Sequence, residues 1–249
     1  MKNKSPRFPA KALDGVAHRP WPLPDAPWMM RQQWQNLLFL HYPVDPAQIR
    51  DRIPAGLELD LFDGKAWLGV VPFDMKGVTG RGCPAPKTFC DFPEINLRTY
   101  VIHKGKPGVW FFSLDVPGAL AVWAARTFFH LPYFKAAVEC QVEEDQVHYR
   151  YARERRTFNA DVHPVGEVFE AKEGFEHWAT ARYALYCQSR KGNLYRGDIH
   201  HAPWPLQRAE VAFQENTFLS EFTVGALHPS VLFSKSLDVV VYPLKILSV

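Results

Sequence analysis

Apolar residues in this chain recur mostly at every second position or in short unbroken runs, which is the pattern of strands. Trp34, Leu37, Leu38, Phe39 and Leu40 form an apolar strand ending at His41-Tyr42-Pro43. Asp45 then predicts an N-cap for a short helix over 46–52, with Pro46 at its first position. Leu57 to Leu61 alternates at period two, Phe62-Asp63-Gly64 supplies a turn, and Ala66 to Phe73 returns as a second strand. Residues 76–93 carry glycines 77, 80 and 82 and prolines 84, 86 and 93, and read as a long irregular loop. Glu94 to His103 is a strand, 105–108 a turn and Val109 to Leu114 a buried strand. The best helical signal lies over 117–129, rich in alanine, with Leu120, Trp123 and Ala124 at helical spacing. Strands are expected at 133–142 and 146–153, a short helix near 174–180, and strands at 181–189 and 194–201 around Lys191-Gly192-Asn193. Further strands are expected near 207–214 and 237–247.

Composition sharpens this picture. Twenty-one prolines argue against a helical bundle, and an aromatic content of 14% suits strands and the walls of small-molecule cavities. The first 30 residues hold six of the prolines and little periodicity, and read as a Pro-rich arm; residues 31–249 read as one β domain. A formal charge of +3 is too weak a bias for a nucleic-acid partner. Four cysteines form no CxxC pair and read as reduced thiols of a cytoplasmic protein. Lys2, Lys4 and Arg7 precede no apolar run, so no signal peptide is expected, and no stretch approaches the ~20 apolar residues of a membrane helix. The fold class expected is therefore mostly β with a few short helices.

Six strings carry a resemblance. They are Phe62-Asp63-Gly64-Lys65-Ala66-Trp67, Val70-Val71-Pro72-Phe73, Glu94-Ile95-Asn96-Leu97-Arg98-Thr99-Tyr100, Gly108 to Asp115, His130-Leu131-Pro132-Tyr133 and His200 to Leu206. In this order they resemble the uncharacterised YqjF-like family, a branch of the acetoacetate decarboxylase-like superfamily, over roughly residues 34–230. The resemblance implies an antiparallel sheet closed into a barrel around a small-molecule cavity. It also implies that Glu94 matches the decarboxylases' strand Glu, and that Arg126 matches the Arg of their Gly-Arg-Glu helix end. Pro132 matches the Pro before their Lys-Lys pair, whose first lysine forms the Schiff base. Here Thr127 replaces the Glu of the helix end and Tyr133-Phe134 replaces the two lysines. Schiff-base chemistry needs an activated amine, which Tyr133 lacks, so the family reaction does not carry over.

The remaining candidates are weighed by strand parity. Glu94, Asn96, Arg98 and Tyr100 share one face of their strand, either lining the cavity or facing solvent. Inside a cavity, Arg98 could hold a carboxylate and Glu94 could move a proton. Lys135 lies two residues, about 6.6 Å, beyond the lysine position, and is either a displaced Schiff-base amine or a surface residue. His200 and His201 are adjacent on a strand, so they point to opposite faces and cannot chelate one metal ion; one of them facing the cavity is the better reading. His130 is either a pocket group or a cation at a helix C-terminus. The run Arg150, Arg153, Arg155, Arg156 reads as solvated strand ends. With no nucleophile elbow, phosphate loop or dinucleotide fingerprint, no cofactor is expected. The expected site has Glu94 and Tyr133 as catalytic groups, and Asn96, Arg98, Trp110, Arg126, His200 and His201 as binding groups. Its ligand would be an organic acid or carbonyl compound. The rival expectation is a non-catalytic binding protein or oligomeric scaffold.

Overall fold

The computed structural model describes residues 15–82, 90–228 and 230–248. Its elements run β1 (Met30–Val44), α1 (Pro46–Arg50), β2 (Glu58–Leu59), β3 (Ala66–Gly80), β4 (Phe92–His103), β5 (Lys106–Val116), α2 (Ala119–Phe128), β6 (Tyr133–Lys135) and β7 (Ala137–Glu143). They continue with β8 (Gln146–Arg153), β9 (Arg156–Phe169), α3 (Gly174–Thr180), β10 (Ala184–Gln188), β11 (Leu194–His201), β12 (Leu206–Asn216), β13 (Leu232–Val241) and β14 (Lys245–Ile246). The chain is mostly β with short helices, as its patterning predicts.

Local chemistry explains several boundaries. The Asp45 carboxylate accepts from the Ala47 amide at 2.9 Å and caps α1, with Pro46 at the first turn. Asp63 and Gly64 both have positive φ, 50° and 71°, the geometry of a tight hairpin turn between Phe62 and Lys65. Other boundaries differ from the pattern. Residues 76–80 extend β3, because the chain there keeps pairing with β1 out to Met30↔Gly80, and Gly77 is absorbed at an irregularity with φ 60°. The expected loop thus shrinks to 81–91, of which 83–89 lie outside the described residues. A long strand, β9, occupies a stretch where charges, Pro164 and Gly166 hide the alternation. Residues 57–61 contribute only the two-residue β2, and the last expected strand is split into β13 and β14.

Seven strands close a ring in the order β1, β3, β4, β5, β10, β11, β13, with β13 pairing back to β1. Neighbours are antiparallel except at β5–β10 and β5–β6, which are parallel. From β13 the sheet continues through β12, β9, β8 and β7 and folds back over the outside of the ring. There Leu38, Leu40, Leu68, Val70, Ile95 and Leu97 of the ring pack against Val147, Tyr149, Phe158 and Ala160. Each such aliphatic side chain contributes about 1.5–3 kcal/mol on burial. Side chains of the opposite parity fill the ring itself, with Phe39, Val71, Ile199 and Val239 in one cluster. Helix α3 closes one end by placing Phe175 and Ala179 against Trp67, Tyr100 and Val109. The segment before β1 lies along the ring wall, where the Arg19 guanidinium donates to the Ile199 carbonyl at 2.7 Å. No described helix is long and apolar enough to cross a membrane.

The parallel contact of β10 with β5 depends on Gly108, where an added Cβ would stand 2.6 Å from the Ala184 carbonyl oxygen. Gly108→Ala is expected to lower stability by about 1–3 kcal/mol, read as the denaturant midpoint. An unchanged midpoint would mean that the two strands are not held this closely.

Candidate functional site

The site is built on β4. Its register against β3 pairs Glu94 with Phe73, Asn96 with Val71 and Arg98 with Gly69, and all three polar residues are buried on the face that lines the ring. On the other side, the turn at Lys104-Gly105 pairs Arg98 with Phe111 and Thr99 with Trp110. One extra residue, Phe112, then interrupts the register, so that Asn96 faces Leu114 and Ile95 faces Asp115. Strand β6 pairs alongside, with Tyr133 beside Leu114, and this carries the tyrosine to the inner face. Its phenol donates to Glu94 Oε2 at 2.8 Å, while Asn96 Nδ2 lies 3.5 Å from Oε1.

Burial raises the Glu94 carboxyl to a pKa of about 7, aided by the negative charge of Asp115 and opposed by the hydrogen bonds from Tyr133 and Asn96. The same burial, with the Glu94 charge, pushes the Tyr133 phenol well above its ordinary value. Asp115 itself is turned outward and paired with Arg153 at 2.6 Å, and Arg153 also lies over the Phe134 ring. Arg153 is therefore the half-buried ion-pair partner of a buried Asp115, not the solvated strand end that the sequence suggests.

Arg98 turns away from Glu94. Its side chain crosses Gly69, where an added Cβ would stand 3.2 Å from Arg98 Cγ and 3.2 Å from Tyr100 Oη. Its Nη2 reaches Tyr100 Oη at 3.5 Å, and the guanidinium lies 5.4 Å from the Phe39 ring centre. No carboxylate of the described residues pairs with it, and its Nε has no hydrogen-bond partner. Tyr100 Oη also meets His41 Nε2 at 2.6 Å. Burial, then the charge of Arg98, holds His41 well below the ordinary imidazole pKa, so the ring is neutral. A second buried arginine, Arg182, pairs with Asp60 and lies against the rings of both Tyr100 and Trp178, which touch each other. The sequence placed His41 only at a strand end and gave neither it nor Arg182 a place in the site. His41 had one signal, its parity with Phe39 on an apolar strand; Arg182 had none, because its partners are distant in the chain.

Several expected site residues stand elsewhere. Trp110, on the outer face, joins the cluster of Leu57, Val101 and Tyr186, because the hairpin register pairs it with Thr99. Arg126 is exposed in the last turn of α2, where its Nε donates to the Tyr133 carbonyl at 2.6 Å, so it touches the main chain of the site and not its interior. Lys135 is exposed. His200 and His201 do point oppositely. His200 meets Arg19 at 3.2 Å under the N-terminal segment, and His201 stacks on Tyr183 at 4.7 Å beside Trp204. Burial lowers both imidazoles to a pKa of about 4. Neither contacts Glu94, Arg98 or Tyr133 among the described residues. His130 lies at the surface against Tyr195, in an open cleft with Arg126 and Arg190. No group of three described His, Cys, Asp or Glu side chains is arranged to hold a metal.

A closed ring with the rest of the same sheet folded over it is the fold shared with acetoacetate decarboxylase-like proteins. The chain is similar in structure to acetoacetate decarboxylase from Legionella pneumophila (TM-score 0.64, 15% identity, 96% of this chain and 95% of that one). It is also similar to the enduracididine biosynthesis enzyme MppR, solved with pyruvate (TM-score 0.63, 13% identity, 91% and 92% covered). At these identities the likeness is one of fold. Within that class, residues 31–238 match the family DUF2071, described as an uncharacterized conserved protein, and the chain belongs to it. The chain is 42% identical over 229 residues to the uncharacterized protein YqjF of Bacillus subtilis strain 168, covering 90% of this chain and 94% of that protein.

An acid whose pKa is raised on folding costs stability as pH climbs from its unfolded value to its folded one. For Glu94, that window runs from the ordinary 4.5 to about 7. Glu94→Gln, neutral throughout, is therefore expected to gain on the wild type by about 3 kcal/mol between pH 4.5 and 8. Chemical denaturation at stepped pH measures this; parallel pH curves for the two proteins would mean that Glu94 titrates normally.

Proposed function

We propose that the ring binds a small organic acid or carbonyl compound and acts on it as a lyase or isomerase without a Schiff-base lysine. The observation that carries this reading is the hydrogen bond of 2.8 Å from the half-buried Tyr133 Oη to Oε2 of the buried Glu94, which shares its face of β4 with Arg98. A carboxyl raised to about 7 can both take and give a proton near neutrality. Asn96 and Tyr133 hold it from either side, one from the next inward position of β4 and one from β6.

The charge count of the interior supports an anionic ligand. Arg182 is neutralised by Asp60, while Arg98 has no such partner and Glu94 is partly protonated near pH 7. A buried guanidinium without a counter-charge is costly, and a ligand carboxylate removes that cost. MppR, a protein of the same fold, was solved with pyruvate, which is a ligand of this class. The rival reading of a ring that only supports an assembly leaves Arg98 without an assigned role.

Thermal stability against short oxo acids and their uncharged esters is the direct test. A ligand at 100 times its Kd adds about 2.7 kcal/mol, and acids are expected to stabilise where esters do not. Arg98→Gln is expected to abolish the difference. Stabilisation by esters alone would overturn the anion reading, and no response to either class would favour the scaffold. Because Tyr133 stands where the decarboxylases keep their lysine, borohydride with acetoacetate is expected to leave no adduct. A mass shift on Lys135 would overturn this.

A further inference from the structure

At the α3 end of the ring, three residues from two strands meet over one glycine. His41, Gly69 and Arg98 form a lateral row across β1, β3 and β4, and Tyr100 is the next inward residue of β4. Gly69 supplies no side chain, so Arg98 and Tyr100 both lie across its Cα. Tyr100 is wholly buried, and its oxygen is shared between His41 Nε2 at 2.6 Å and Arg98 Nη2 at 3.5 Å. Around it, Arg98 Nε, His41 Nδ1 and Arg182 Nη2 are buried without a hydrogen-bond partner. Buried polar atoms in native proteins are nearly all paired, and three orphans around one phenol imply that something polar is received there.

The donor arrangement limits what that can be. Arg98 can only donate. When His41 is the neutral Nε2–H form, it donates as well, and both lone pairs of Tyr100 Oη are filled. The one hydrogen left is the phenol's own, directed away from both neighbours. Two buried donors then lie about 3.5 Å apart, a guanidinium N–H and a phenol O–H, free to be taken up by one ligand. In a 2-oxo carboxylate, a carboxylate oxygen and the adjacent carbonyl oxygen lie at a similar separation. A plain carboxylate engages the guanidinium but offers no second oxygen at the neighbouring carbon.

We propose that Tyr100, oriented by His41 and Arg98, is the specificity-determining residue of a two-point receptor for 2-oxo carboxylates. Arg98 takes the carboxylate and Tyr100 the C2 oxygen. This deepens the reading of Arg98 as the anion anchor and rests on it. It adds a residue and a substrate class that the Glu94–Tyr133 pair does not specify.

The test is a ratio of affinities, measured by calorimetry on the full chain with 2-oxobutanoate and butanoate as probes. The wild type is expected to bind the 2-oxo acid at least tenfold more tightly, since a buried donor left unpaired by butanoate carries its full desolvation cost. Tyr100→Phe is expected to bring the ratio near one, with the loss of affinity falling on the 2-oxo acid far more than on butanoate, whereas a merely structural role for the phenol would weaken both alike and keep the ratio. Gly69→Ala, which displaces Arg98 and Tyr100 together, is expected to weaken both acids, and keeps the test open if Tyr100→Phe does not fold. Equal binding of the two acids by the wild type, or an unchanged ratio in Tyr100→Phe, overturns the receptor while leaving the Arg98 anchor standing. Binding of neither acid overturns both.

Discussion

One extra residue decides what faces the inside of this ring. Without the bulge at Phe112, the register set by the Lys104-Gly105 turn would carry on unbroken and bring Asp115 opposite Glu94, both pointing inward. Two carboxylates would then share a low-dielectric interior, and one would have to stay protonated. The bulge turns Asp115 outward to Arg153 and puts Leu114 in its place beside Asn96. Because β6 follows β5, the same step brings Tyr133 to the inner face, where Glu94 accepts its hydrogen bond. The isolation of a single carboxyl, its raised pKa and its tyrosine partner all follow from one position in one strand.

The second polar centre has a different origin. His41, Arg98, Tyr100 and Arg182 come from three separate parts of the chain and meet because the ring closes and α3 covers its end. Arg182 is neutralised locally by Asp60, and the Trp178 indole donates to the same carboxylate at 3.1 Å. That ion pair balances its own charge, with Arg182 Nη2 alone left without a partner, and reads as support for the end of the ring. Arg98 has no equivalent, and the contrast between the two buried arginines is what gives the interior its residual positive character.

Much of this was legible in the chain and some was not, for definable reasons. Period-two alternation put Glu94, Asn96, Arg98 and Tyr100 on one face, because parity survives any error in strand ends, but left open whether that face turns inward or to solvent. Caps and turns were legible wherever their chemistry is local, as at Asp45 and Asp63-Gly64. Trp110 was misjudged because its face depends on which residues make the turn, and Lys104-Gly105 turns earlier than the expected 105–108. Arg126 matched a motif but acts on the Tyr133 carbonyl, since α2 lies outside the ring. Strand β9 was hidden by its charges, which face solvent or pair across strands, as Asp161 does with Arg150 at 2.8 Å. The His41 and Arg182 contacts are products of tertiary closure, which no local pattern encodes.

The closure itself joins the two ends of the chain. Strand β1, starting at Met30, pairs with β13, which ends at Val241, and the β11–β13 contact completes the circle. During synthesis, the ring must therefore wait open until β13 has left the ribosome. Until then, the row that carries Glu94 and Arg98 sits on an unclosed sheet in contact with water, where neither group pays for burial. Pairings so distant in sequence make for slow folding. They also make the interior an all-or-nothing property, because a chain arrested before β13 holds every residue of the site and none of its environment.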